Sequence, residues 1–166
     1  MRAGVALGSN LGERVANLRN ARKDIAALNG VLPPIRSSAI YETDPVGCEK
    51  GAGNFLNAVI EFGYSGEPDM LLRALAVIEK MLGRPAAHAR NVSRTVDLDL
   101  LYFGELVIAT DELQLPHPRI AEREFVLRPL ADIRPDLVLP EQTEPVSALL
   151  LRLTPTAGVV RLDLEW

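Results

Sequence analysis

Apolar positions along this chain change period several times, and each change marks an element. Val5 to Leu7 is a short apolar run that stops at Gly8-Ser9-Asn10-Leu11-Gly12, a strand followed by a turn. Val15, Leu18, Arg22, Ile25 and Leu28 then recur at helical spacing, with the Arg22 stem expected along the apolar face and Asn29-Gly30 closing the helix. Pro33-Pro34 punctuates the chain, Ile35 to Tyr41 reads as a second strand, and Thr43-Asp44-Pro45-Val46-Gly47 breaks it. After a polar, glycine-rich stretch, a third strand runs from Phe55 to Phe62.

Pro68 suits the first turn of a second helix, whose apolar face is expected to hold Leu71, Ala74, Leu75, Ile78, Met81 and Leu82, with its methionines in core packing and Gly83 at its end. Thr95 to Phe103 is a fourth strand, stopped by Gly104. The order strand, helix, strand, strand, helix, strand describes a ferredoxin-like α+β layer, with helices packed on one face of an antiparallel sheet. Beyond it the pattern is less regular. Leu115-Pro116-His117-Pro118-Arg119 is neither helix nor central strand, because two prolines remove backbone donors. Glu122 to Ala131 and Val146 to Leu153 read as short helices and Val159 to Leu164 as a last strand, a stretch whose periodicity points to packing only.

With 166 residues, 48% hydrophobic and 24% charged, the chain fits a single domain over 1–166 with a sizeable core. The net charge of -4 offers no cationic footprint for nucleic acid or an anionic membrane, and no apolar run is long enough to span a bilayer. Cys48, the only cysteine, excludes an intrachain disulfide and reads as an incidental loop residue, so a reducing, cytoplasmic location is expected. Neither a P-loop nor a dinucleotide fingerprint is present, and two histidines with one cysteine make zinc improbable.

The chemistry concentrates in Asp97-Leu98-Asp99, inside an otherwise apolar strand. Residues two apart on a strand share a face, so the two carboxylates stand side by side, repel each other and lose hydration. A hard divalent cation relieves that cost, and Mg²⁺ held by few protein oxygens keeps positions open for substrate phosphates. The other reading, two aspartates on a solvated strand edge, is opposed by the flanking Val96, Leu98, Leu100 and Leu101. Arg84, Arg90 and Arg94 precede the pair and Arg119 and Arg123 follow it, which suggests a nucleotide polyphosphate site.

Seven segments in order resemble the 6-hydroxymethyl-7,8-dihydropterin pyrophosphokinase family of folate synthesis, as far as about Pro135. They are Ala6 to Gly12, Tyr41 to Gly47, Asn54 to Val59, Glu79 with Leu82-Gly83-Arg84, Arg94 to Gly104, Leu115 to Arg119 and Glu122 to Leu130. The resemblance implies a three-layer αβα pyrophosphokinase fold. It also implies ATP- and Mg²⁺-dependent transfer of pyrophosphate to the pterin hydroxymethyl group, with release of AMP. Asp97 and Asp99 match the ligands of two Mg²⁺ ions, and with Arg84, Arg90 and Arg94 they form the implied catalytic set. Phe55 and Phe125 match the rings around the pterin, Asn57 its hydrogen-bonding partner, and Thr43 and Val46 its loop contacts. Glu79, Arg84, Arg94, His117 and Arg123 match positions around ATP. The expected partners are small molecules alone, for a monomeric enzyme without nucleic acid or membrane.

Departures from the family pattern fall in the stretch before the Asp pair: Ala86 stands where many members carry Arg, and Asn91-Val92-Ser93 replaces an aromatic residue and Gly-Pro. They define the alternative, a noncatalytic pterin- or nucleotide-binding relative. An RNA-binding module is opposed by 5% aromatic content and the net negative charge. A two-metal nucleotidyl cyclase or transferase leaves Thr43 to Gly47 and Phe55 to Asn57 unexplained.

Overall fold

The first strand sets the frame of the computed structural model, which describes residues 1–45, 53–83, 94–154 and 158–166. In β1 (Arg2–Ser9), Ala3, Val5 and Leu7 point to one face and the small residues Gly4, Ala6 and Gly8 to the other. It lies between β4 (Phe55–Tyr64) and β5 (Asp97–Phe103), antiparallel to both. On the far side of β4 come β2 (Val31–Ser37) and β3 (Ile40–Thr43), and β3 is flanked by β8 (Val160–Leu162). The resulting path β5-β1-β4-β3-β8 has the strand order of a ferredoxin-like sheet with an added edge strand.

Two helices, α1 (Arg14–Ala26) and α2 (Pro68–Met81), cover the Val5 and Leu7 face. The opposite face is covered by α3 (Glu124–Ile133) and α4 (Val146–Arg152), packed on Val59, Leu101 and Tyr102. The sheet therefore has helices on both faces, a three-layer αβα arrangement, where periodicity alone pointed to one. Two apolar sides account for the strand burial: β4 is buried along nearly its whole length, as a sandwiched central strand must be.

Three local expectations are corrected. Ile35 to Tyr41 is not one strand, because a bulge at Ser38-Ala39 separates β2 from β3. The Ser38 amide donates to the Val59 carbonyl at 2.9 Å, and its hydroxyl accepts from the Val59 N–H at 2.9 Å, so a side chain replaces a ladder position. The extra residue flips the alternation, which brings Tyr41 and Thr43 onto the same face as Asn57. The methionines of α2 are not core: Met81 is 74% exposed and Met70 also faces out, while Leu71, Leu75 and Ile78 fill the interior. Third, Glu122 closes a 3₁₀ turn (Ile120–Glu122) before α3 begins, and a small hairpin of β6 (Ile108–Ala109) and β7 (Gln114–Leu115) precedes it, too short for periodicity to reveal.

One row across the sheet explains why position 4 is glycine. Gly4 is the register partner of both Tyr102 on β5 and Glu61 on β4, and the Tyr102 ring lies over it to donate its hydroxyl to Glu61 at 2.8 Å. A Cβ on residue 4 would stand 2.2 Å from that ring. Gly4→Ala is expected to destabilise the domain by about 3 kcal/mol, the upper range for overpacking. Urea denaturation checks this, and the loss should shrink when Tyr102→Leu is added, since the two changes share one space.

Candidate active site

Three strands bring the polar side chains to the α3 face. Gly8 is the register partner of Asn57 on β4 and of Asp97 on β5, and one row further on Ala6 pairs with Val59 and Asp99. Adjacent strands lie ~4.8 Å apart, so Asn57 and Asp97 flank a side-chain-free gap roughly 10 Å across. A Cβ at Gly8 would come within 3.5 Å of the Asn57 Oδ1 and 4.0 Å of Phe55. The cleft is lined by Ala6, Gly8, Asn57, Asp97 and Asp99, with Phe125 and Val126 from the start of α3 over it. Gly8 and Ala6 belong to a segment that carries the family resemblance, but the sequence gives neither a place in the site. The readable signal was the period-two stripe Gly4, Ala6, Gly8, a strand face without side chains.

On the β4 side of the cleft, the Asn57 amide donates to the Thr43 hydroxyl at 2.8 Å, and both residues are buried. The Asn57 carbonyl is oriented by that bond. Phe55 and Phe125 are both half-buried, one on β4 and the other on α3, so the sheet and the helix each bring a ring to this end.

On the β5 side each carboxylate has an arginine. Arg94 lies 2.7 Å from Asp97, and Arg123, at the N-cap of α3, lies 3.3 Å from Asp99 with its guanidinium 5.7 Å from the centre of the Phe125 ring. Burial, and next the Asp97 charge, push the Asp99 carboxyl above the usual carboxylate range, while His117, Arg123 and Arg94 pull it back. Its side chain is still 39% exposed. His117 follows β7, is fixed by its amide bond to the Leu101 carbonyl at 2.7 Å, and accepts the Arg119 N–H on Nδ1 at 3.1 Å. Burial lowers its basicity, with Arg123 and Arg119 adding to the effect and Asp99 opposing it.

Glu79 reaches the pair differently. It sits on α2, on the opposite side of the sheet, where its buried carboxylate accepts the Leu98 N–H at 2.8 Å. It thus fixes the backbone between the two aspartates. Asn10, in the turn after β1, ties two distant points of the chain together: its Oδ1 accepts the Arg94 N–H at 2.7 Å and its amide reaches the Gly53 carbonyl at 3.5 Å. Val46, Arg84 and Arg90, like Cys48, Ala86 and Asn91-Val92-Ser93, lie outside the described residues.

Two carboxylates sharing a face, each with a positive partner, supply hard oxygen donors that suit Mg²⁺. No group of three or more His, Cys, Asp or Glu side chains able to hold a metal occurs among the described residues. Such a pair fits an ion that takes its remaining ligands from water and phosphate better than one that needs a closed protein cage.

One face of the ferredoxin-like sheet thus carries a carboxylate–arginine end and an aromatic, amide-lined end, an arrangement that suits a small-molecule transferase. Comparison with known proteins narrows the class. The sequence model of the 7,8-dihydro-6-hydroxymethylpterin-pyrophosphokinase (HPPK) family matches residues 4–135, and the chain belongs to that family. The chain is 46% identical over 131 residues to the 2-amino-4-hydroxy-6-hydroxymethyldihydropteridine pyrophosphokinase of Bacillus subtilis, covering 78% of this chain and 75% of that one. It is 38% identical over 162 residues to the protein of the same name from Methylorubrum extorquens, covering 98% and 99%. An Arabidopsis thaliana folate synthesis bifunctional protein is 40% identical over 129 residues, 78% of this chain but 26% of that protein. In solved structures, a Plasmodium falciparum HPPK-DHPS chain superposes with a TM-score of 0.72 at 13% identity, covering 91% of this chain and 42% of that one, a likeness of fold. The chain is thus an ATP-dependent pyrophosphokinase of folate synthesis by family. No helix among the described residues is long and apolar enough to cross a membrane.

Proposed function

We propose that the cleft transfers the pyrophosphoryl group of ATP to the hydroxymethyl group of 6-hydroxymethyl-7,8-dihydropterin, releasing AMP. The single observation that carries this reading is the row Asn57–Gly8–Asp97, which sets an amide-lined slot beside an arginine-countered carboxylate pair on one sheet face. In this reading the flat pterin lies at the Asn57 end, with Phe55 and Phe125 as its ring partners. Asn57, aligned by Thr43, reads its polar edge. Burial of a planar ring between apolar walls, with few polar groups to fix its orientation, is how such sites gain both affinity and specificity.

Asp97 and Asp99 would hold Mg²⁺, two ions by family likeness, which supplies charge neutralisation for the triphosphate. Arg94 and Arg123 are paired with the carboxylates in this structure. When phosphates arrive they are within reach to exchange that partner for a phosphate oxygen, a charge-assisted bond of the same kind. Arg84 and Arg90 would add to this clamp and Val46 to the pterin contacts, as the sequence likeness implies. The pterin hydroxyl oxygen forms a bond to the β-phosphorus, the bond from that phosphorus to the α-bridging oxygen breaks, AMP leaves, and the hydroxyl proton passes to solvent. Positioning and fixed charge suffice for such a transfer. The substrates are small molecules, and a cytoplasmic monomer is the state in which we expect the protein to act.

Phosphorus NMR of ATP, Mg²⁺, the reduced pterin and the protein tests this. AMP and a pterin diphosphate should grow together and only with pterin present. Formation of ADP, or AMP without pterin, would overturn the reading.

A further inference from the structure

The matched family region ends at residue 135, yet residues 158–166 grip the sheet edge next to the cleft at three places. Their strand β8 pairs along β3, Ile40 with Leu162, Tyr41 with Arg161 and Glu42 with Val160. Beyond the C-terminal end of β3, Gly158 packs against Asp44: a Cβ on residue 158 would stand 2.2 Å from the Asp44 Oδ2 and 2.7 Å from its Cγ. Gly158 also has φ +99, a conformation other residues adopt only with strain. Before β3, the Trp166 indole N–H donates to the Ser38 carbonyl at 2.7 Å, at the bulge that sets the phase of β3. Arg22 of α1 holds that far end, donating to the Trp166 carbonyl and lying 5.5 Å from the indole centre.

We propose that residues 158–166 are a brace that positions Thr43 for the pterin, an inference that rests on the function proposed above. β3 is only four residues long, and without β8 its outer edge would have no partner strand. Its last residue, Thr43, accepts the bond that aligns Asn57. Holding β3 before, along and after its length fixes that hydroxyl before any ligand arrives, so binding does not have to order it. The nucleotide end is insulated from the brace. Asp97 and Asp99 lie on β5, at the opposite edge of the β5-β1-β4-β3-β8 path.

The test is equilibrium titration of the full chain with 6-hydroxymethylpterin and, separately, with a nonhydrolysable ATP analogue and Mg²⁺. Gly158→Ala should weaken pterin binding about tenfold, the scale of a modest misplacement of a positioning group, and leave nucleotide binding within about twofold. Adding Asp44→Ala should restore part of the pterin affinity, because the collision partner is gone. A simple loss of stability would weaken binding of both ligands alike. Unchanged pterin affinity in Gly158→Ala overturns the proposal, as does an equal loss for both ligands or a loss that Asp44→Ala does not relieve. If Gly158→Ala does not fold, Trp166→Ala releases the other end of the brace and is read by the same criterion, weaker pterin binding supporting the proposal and unchanged binding overturning it. If the wild-type chain binds no pterin, the proposed function itself falls. If it binds and neither variant shifts the affinity, only the brace does.

Discussion

Asp99→Asn should lower turnover by about a thousandfold and leave the melting temperature no lower than that of the wild type. Losing one oriented charge-stabilising group commonly costs 10²–10³ in rate, and a shared metal ligand belongs at the upper end of that range. The stability half of the prediction follows from the same geometry. The folded protein holds the Asp99 carboxyl above its ordinary range, first through burial and then through Asp97, so ionised Asp99 is disfavoured by folding at neutral pH. An amide of the same shape removes that penalty, while Arg123 keeps the face of Phe125. Asp97→Asn should show the same loss of turnover. Rates of AMP formation and thermal melts of the purified variants check both halves, and near-normal turnover in either variant would remove the metal assignment.

Glu61→Gln should cost about 3 kcal/mol of stability, the lower end of what breaking a buried ionic cluster costs, and depress the melting temperature by roughly 6–12 °C for a domain of this size. Glu61 is fully buried on β4, where Arg2 donates to it at 2.8 Å, Tyr102 at 2.8 Å and Arg134, just after α3, through its guanidinium. Burial on its own would raise the carboxyl, but the bonds from Arg2 and Tyr102 and the charge of Arg134 outweigh it and hold the group below its usual range. Because Arg2 and Arg134 are each about one-third exposed and can rehydrate, the lower figure is chosen. The sign of the pH dependence follows. A carboxyl lowered in the folded state contributes fully above about pH 4.3 and loses its contribution as pH falls through the folded value. The difference in melting temperature between wild type and Glu61→Gln should therefore narrow as the pH is taken from neutral to below about 4.3 and on through the folded value. The prediction fails if the gap stays constant over that range. The cluster also has a functional side, since it anchors the C-terminal end of the same helix whose start brings Arg123 and Phe125 to the cleft.

Much of the core frame was legible because local periodicity carries it. Leu18 and Ile25 of α1, Leu71, Leu75 and Ile78 of α2, and the run through β4 are buried as their spacing requires. Asp97 and Asp99 share a face for the same reason, and the Leu98 side chain packs on the other side. Met70 and Met81 were misread because apolar character was taken for burial, whereas their positions on the helix turn them outward. The break at Ser38-Ala39 was invisible because a bulge is defined by the partner strand, and β4 begins more than ten residues further along.

What the sequence determined by itself is therefore whatever depends on neighbours two to four residues away: the element types and their order, the inward faces, and the placing of two carboxylates side by side. The tertiary structure alone decided which residues meet across strands. It set Gly8 between Asn57 and Asp97, laid Tyr102 over Gly4 onto Glu61, gave Asp99 its arginine, and brought Gly158 against Asp44. The reason is physical. Lateral register is fixed by pairing between segments far apart in the chain, and a single extra residue in one strand turns every later side chain to the other face.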